Sequence, residues 1–275
     1  LDLAALELVP RPIDLLGPAK AFRFPSFASY RAALDAEPRA IDLVPLVGHA
    51  ALRARCVATP TGPATASERA AMLRWLDEAL AHGAHGLSSG LAYNFSFPAD
   101  DAEIDPLVER VAACRRVYSS HLRNEYEGVF AALDEALDCA QRAGARLVVS
   151  HLKAGGAKIW GRAGELVARL EAAHARGQNV ACDVYPYEAS STILNPDGVS
   201  RAARVLVSFS EAFPELQGQD LDALAASWHC SRLEAAARLQ PAGGIFWIIG
   251  RDDLDCILRW PRTMLGSDGL PFDSF

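Results

Sequence analysis

The sequence predicts an α/β fold, with a parallel sheet wrapped by helices in a (β/α)8 TIM-barrel-like arrangement. Three observations carry this expectation. Short apolar runs alternate with longer segments of helical period. Those runs are apolar nearly throughout, as in strands buried on both faces. Polar and ionisable residues gather where the runs end, at Gly48-His49, Ser88-Ser89, Ser120-His121, Ser150-His151, Asp183 to Tyr187 and Ser267-Asp268, and a barrel keeps its active site at that end of its strands. The rival is an open doubly wound sheet. A dinucleotide-binding version would carry G-x-G-x-x-G after an early strand, and the glycine-rich "HGAHGLSSG" has another spacing.

In chain order, strands are expected over 43–47, 85–88, 117–121, 146–151, 179–184, 244–249 and 263–267. Helices are expected over 67–82, 101–116, 127–143, 163–176, 221–240 (in one or two pieces) and 252–260. Ser67 with Glu68, and Asp101 with Glu103, supply capping and acidic first-turn residues at two helix starts. Gly83, Gly144 and Gly177 stand where helices should stop. The segment 195–219 breaks the rhythm and reads as a long loop or excursion over the mouth. The chain reads as a single partial barrel over 1–275, with a lead-in over 1–42 and an excursion over 195–243.

With 275 residues, one large domain with a substantial core is possible. The net charge of −7 argues against nucleic acid or an anionic membrane as the main partner. No apolar run reaches the length of a membrane span. Six scattered cysteines without a C-x-x-C pair read as reduced thiols of a cytoplasmic protein.

Of the seven histidines, His82, His85, His174 and His229 fit surface or capping roles. His49 at a strand end is either a site residue or a satisfied structural group. His121 and His151 share a context, since "RRVYSSHLRNE" and "RLVVSHLKAGG" each finish an apolar run on Ser-His-Leu followed by a cation. Neighbouring parallel strands lie about 4.8 Å apart, so two such histidines converge on one point. They would hold a divalent metal there or be two ordinary buried histidines, and spacing alone does not decide. Asp268 in "TMLGSDG" is either a turn residue or the carboxylate of a hydrolase centre that moves protons for a metal-polarised water. Lys153 reads as an anion partner or a solvated loop lysine. Arg123 and Glu125 would pair with each other or buttress the site. In "DVYPYEASST", the hydroxyls of Tyr185, Tyr187, Ser190, Ser191 and Thr192 could bind a carboxylate or carbonyl oxygen. A Ser-His-Asp triad is disfavoured, because strand alternation turns Ser120 and Ser150 away from the adjacent histidines and no G-x-S-x-G occurs.

The ordered motifs "LVGHAALR", "GAHGLSSGLAYN", "YSSHLRNE", "VVSHLKAGG", "IWGRAGE", "DVYPYEASSTIL" and "MLGSDGLPFD" resemble the N-acyl-D-amino-acid deacylases of the metal-dependent amidohydrolase superfamily. "SSHLRNE" and "ARLQPAGGIFWI" look most like the branch acting on D-glutamate and D-aspartate derivatives. The resemblance implies a (β/α)8 barrel with a zinc centre that hydrolyses an N-acyl-D-amino acid, a small-molecule substrate. It implies His121 on the fifth strand and His151 on the sixth as metal ligands, Asp268 after the eighth as catalytic acid and base, and Lys153, Tyr185 and Ser191 as substrate contacts. It makes 244–249 an extra strand between the seventh and eighth. Family members also carry His-x-His on the first strand, a metal-binding cysteine after the second, and a carboxylate-gripping arginine beyond "SDGLP". Residues 1–41 hold no histidine or cysteine, no cysteine here stands in the matching context, and Phe272 replaces a polar residue. The chain is therefore expected to cover strands three to eight, with open edges at the third and eighth, to bind zinc weakly alone and to turn over little. A cyclic amide or dipeptide substrate, or a non-catalytic fragment, are the alternatives.

Overall fold

A computed structural model describes residues 13–38, 40–59 and 61–269. Its elements follow in chain order as α1 (Phe27–Ala36), β1 (Val47–Gly48), α2 (His49–Cys56), α3 (Ala66–Ala81), β2 (Gly86–Gly90), α4 (Asp101–Ala113), β3 (Val117–His121), α5 (Val129–Ala143), β4 (Arg146–Val149), α6 (Ala163–Ala175), β5 (Val180–Val184), β6 (Ala189–Ile193), α7 (Pro196–Arg201), β7 (Arg204–Ser210), α8 (Leu221–Ser227), α9 (Arg232–Arg238), β8 (Ala242–Trp247), α10 (Arg251–Leu258) and β9 (Thr263–Leu265).

Local chemistry explains the boundaries. Helix α3 is capped by Thr65, not Ser67. The Thr65 hydroxyl accepts from the Glu68 N–H, and the Glu68 carboxylate accepts from the Thr65 N–H at 2.7 Å, a reciprocal box that starts the helix earlier than expected. Asp100, one residue before the expected cap, accepts from the N–H of Glu103 at 3.1 Å. Gly144 closes α5 with φ +66, a backbone conformation that side chains disfavour. The expected helix over 221–240 is two, because Ser231 caps α9 afresh with Glu234.

Strands β1-β2-β3-β4-β5-β9 form one six-stranded sheet in that order, parallel at every pairing. This is the wall of an incomplete (β/α)8 barrel. Its helix-facing residues, including Tyr118, Leu147, Val149, Val180 and Cys182, are buried against Leu76, Leu107, Leu133, Leu166 and other helix residues. The alternate set, Ser119, His121, Val148, Ser150, Ala181 and Asp183, is only half-buried and lines the opposite face. Among the described residues the edges are β1 and β9, with Leu265 at 71 % exposure.

The expected strand over 43–47 is only Val47–Gly48, with Leu43 and Val44 exposed, and the chain turns directly into α2. The irregular stretch is more ordered than expected. Strands β6-β8-β7 make a separate antiparallel sheet, joined by α7, α8 and α9. The apolar run at 244–249 belongs to that sheet as β8, outside the barrel wall. Periodicity alone does not say which sheet an apolar run joins. No helix among the described residues is long and apolar enough to cross a membrane.

Candidate metal and catalytic centre

Strands β3 and β4 run in register to Ser120↔Val149. His121 ends β3, and His151 lies two residues past the end of β4. There the Ser150 N–H donates to the Ser120 carbonyl at 2.9 Å, and the Ser119 and Ser150 hydroxyls bond at 2.7 Å. The chain then turns sharply, with His151 in a left-handed conformation at φ +37. This turn swings the imidazole towards β3. Nδ1 of His121 and Nε2 of His151 face each other at 2.9 Å, with the rings edge-on and their centroids 4.6 Å apart. The Tyr93 ring packs on His121 at 5.1 Å.

The outward nitrogens of both rings meet one carboxylate. Glu125 lies 2.9 Å from Nδ1 of His151 and 3.8 Å from Nε2 of His121. Lys153 completes the network, its ammonium 2.6 Å from Glu125 and 2.9 Å from Nδ1 of His151. Its side chain is only 3 % exposed, so the solvated-lysine reading is overturned.

Burial pushes the pKa of His121 down to about 4, with His151 and Lys153 working the same way against Glu125. The ring is therefore neutral near pH 7, the form a metal ligand needs. Burial works to raise the pKa of Glu125, but His121, Lys153 and His151 outweigh it and hold the carboxylate well below its usual range. The donor set suits a divalent ion that favours nitrogen and oxygen, such as zinc. The ligand atoms of His121, Glu125 and His151 all lie within 4.8 Å of one another. The facing nitrogens would take the ion, and Glu125 would fix the His151 ring from behind.

Tyr185 is buried, and Lys153 lies over its ring at 5.6 Å. Its hydroxyl is buried, and the Ser190 side chain acts on it. Burial, then the Glu125 and Asp268 carboxylates, push that phenol above its usual range, so it stays protonated. Burial likewise raises Tyr93, to about 12, with Glu125 adding to the effect. Asp268 follows β9 as an exposed residue at φ +49, and among the described residues no hydrogen bond joins it to either histidine. Ser191 is exposed in β6, paired in register with Ile245 of β8, and among the described residues its hydroxyl makes no hydrogen bond. Phe272 lies outside the described residues.

Glu125 is the residue of this cluster that the sequence marked least clearly. Its expected partner, Arg123, binds Glu135 at 2.8 Å and the Phe97 and Ala99 carbonyls at 2.6 and 2.9 Å, which ties this loop to α5. The available signal was the single acidic residue following "SSHLRN", matched by the lysine following "SHL" one repeat later. His49, the other candidate, is buried in a separate cluster at the start of α2. Its Nε2 lies 2.6 Å from Glu103, which also takes Arg53 at 2.6 Å.

No family profile matches the chain. The D-aminoacylase of Alcaligenes xylosoxydans xylosoxydans is 40 % identical over 264 residues, covering 96 % of this chain and 54 % of that protein. The N-acyl-D-glutamate deacylase of the same organism is 40 % identical over 95 % of this chain and 53 % of its own length. The chain thus spans about half the length of the curated relatives it matches. A crystal structure of D-aminoacylase superposes with a TM-score of 0.89 at 38 % identity, over 96 % of this chain and 56 % of that one. An N-acyl-D-glutamate deacylase from Bordetella bronchiseptica, complexed with zinc and a phosphonate that mimics the tetrahedral intermediate, superposes with a TM-score of 0.89 at 40 % identity, over 94 % of this chain and 54 % of that one. Through nearly its whole length, the chain is similar to D-aminoacylase and the N-acyl-D-amino-acid deacylases, over about half of theirs.

Proposed function

We propose that the protein of which these residues form part hydrolyses the amide bond of an N-acyl-D-amino acid, releasing the D-amino acid and a carboxylate, with zinc as cofactor. The observation that carries this reading is the facing histidine pair, backed on its outer side by the Glu125–Lys153 pair. Zinc, when bound, polarises the substrate carbonyl and lowers the pKa of its water. His121 and His151 would hold it through their facing nitrogens, and Glu125, within hydrogen-bond reach of Nδ1 of His151, would fix that ring. Tyr185, kept protonated, donates to a substrate oxygen, and Lys153 draws the anionic substrate to the same wall. Asp268 accepts the proton of the attacking water and returns it to the leaving amine. Ser191 contacts the substrate from the second sheet. The relatives that act on N-acyl-D-aspartate and N-acyl-D-glutamate support an acidic D-amino acid. The six free cysteines suit a cytoplasmic setting.

The test is a zinc titration of the 275-residue chain, followed by binding of phosphonate analogues of N-acetyl-D-glutamate and its L enantiomer. Weak zinc binding that disappears in His121→Ala and His151→Ala, with preference for the D analogue, is expected. A folded chain that ignores zinc would overturn the reading, as would release of product from a hydantoin or a dipeptide but not from N-acetyl-D-glutamate.

A further inference from the structure

The turn that aims His151 is held by a residue with no role in the chemistry above. In the parallel ladder, β4 pairs with β5 only as far as Val149↔Cys182. Beyond it, two successive N–H groups of the turn go to a single residue of β5. The His151 N–H donates to Oδ1 of Asp183 at 2.8 Å, and the Leu152 N–H donates to the Asp183 main-chain carbonyl at 2.9 Å. Between them lies the left-handed backbone of His151, φ +37. A residue with a Cβ keeps that conformation only where its surroundings over-determine it. Here the fixing bonds are the Ser150 N–H to β3 and the two N–H groups to Asp183.

The neighbouring edge leaves room for this carboxylate. Gly266 follows β9, and a Cβ added there would stand 3.3 Å from Oδ1 of Asp183. The Gly266 N–H meanwhile bonds the Val184 carbonyl at 3.0 Å, which holds the glycine beside that oxygen. Asp183 thus spans three strand ends. It lies on β5, caps the turn after β4, and is approached by the chain leaving β9.

We infer that Asp183 is a positioning residue for His151: its carboxylate locks the left-handed turn that points Nε2 of His151 at Nδ1 of His121. The inference rests on the metal-centre reading above but is separable from it, because the aim of the ring exists without an ion. An aspartate reaches an N–H two residues past the end of β4, whereas alanine leaves that N–H unmet and the turn free to relax to an ordinary backbone. Asparagine keeps an acceptor oxygen at the same reach.

The experiment compares the unaltered chain with Asp183→Asn and Asp183→Ala by imidazole 15N NMR without metal, and by zinc titration. The inter-ring contact shifts the ring-nitrogen resonances of both histidines. Asp183→Ala should abolish that signature while the chain stays folded, and Asp183→Asn should retain it. Zinc affinity should fall by about 10–100-fold in Asp183→Ala, the range typical of a lost ligand-orienting partner, and stay near the unaltered value in Asp183→Asn. A general loss of stability with intact ring signals in Asp183→Ala would overturn the inference. So would equal loss in both variants. If the unaltered chain binds no zinc, the functional reading fails while the metal-free NMR comparison still decides the role of Asp183.

Discussion

Replacing Glu125 by glutamine keeps the side chain's size and removes its charge. Lys153, 3 % exposed, then keeps its ammonium in a buried position with no anion beside it. Removing one partner of a buried pair costs about 3–5 kcal/mol, whereas an exposed pair of the same geometry is worth about 0–1 kcal/mol. The 2.6 Å contact, the side-chain exposures of 3 % and 14 % and the depressed carboxylate place this pair in the first class. Urea unfolding followed by tryptophan fluorescence should show a lower midpoint at unchanged slope. Against a total stability of about 5–15 kcal/mol, the loss is large and still measurable. Adding Lys153→Met should restore part of it, with a departure from additivity of about 1–3 kcal/mol. A loss below about 1 kcal/mol, or single effects that add within about 0.5 kcal/mol, would refute the buried-pair argument.

Two other predictions use different parts of the chain. Burial works to raise the pKa of Glu103, but its bonds to His49 and Arg53 outweigh this and lower it overall. Its contribution is therefore complete above the unfolded carboxylate range, about 4.3, and is lost as pH falls through the lower folded value. The stability gap between the unaltered chain and Glu103→Gln should narrow on acidification, and a gap that stays constant down to acid would contradict this. Gly86→Ala should destabilise by about 1–3 kcal/mol or more, because its Cβ would collide with the Val117 carbonyl on the paired strand. Gly144→Ala, with φ +66 and nothing near the added carbon, should cost only about 1–2 kcal/mol, and equal losses would show that the strand contact is unimportant.

What the sequence disclosed and what it hid follow from the range of the interactions. The strands around 117–121 and 180–184 were legible, because an apolar run between two helices has one stable place in a parallel sheet. His121 and His151 were legible as a pair, because the βα repeat put each at a strand end. The left-handed turn was not. Nothing in "SHLKAGG" marks His151 as a residue with positive φ, and the groups that impose it lie on β3 and β5. Glu125 was half legible. Its charge and position were plain, but its choice of Lys153 over Arg123 depends on Arg123 being taken by Glu135 on α5, a contact between separate elements. The same limit applies to His49. A histidine after an apolar run looks like a site residue until the fold brings Glu103 to it from α4.

The residues of the centre also differ in how firmly the sheet holds them. Strands β3, β4 and β5 each have a hydrogen-bonded neighbour on both sides, so the histidine pair, its Glu125–Lys153 backing and the Asp183 brace rest on the most constrained part of the wall. Asp268 follows β9, an edge among the described residues, and is itself exposed. Local opening begins where backbone pairing is one-sided and few apolar contacts are buried. The two halves of the proposed chemistry therefore rest on different supports. In that proposal, capture of an ion draws on the interior strands. In the same proposal, proton transfer draws on Asp268, which follows an edge strand. Conditions that loosen β9 should thus weaken turnover before they weaken metal binding, because the proposed ligands and the proposed proton carrier do not share a strand.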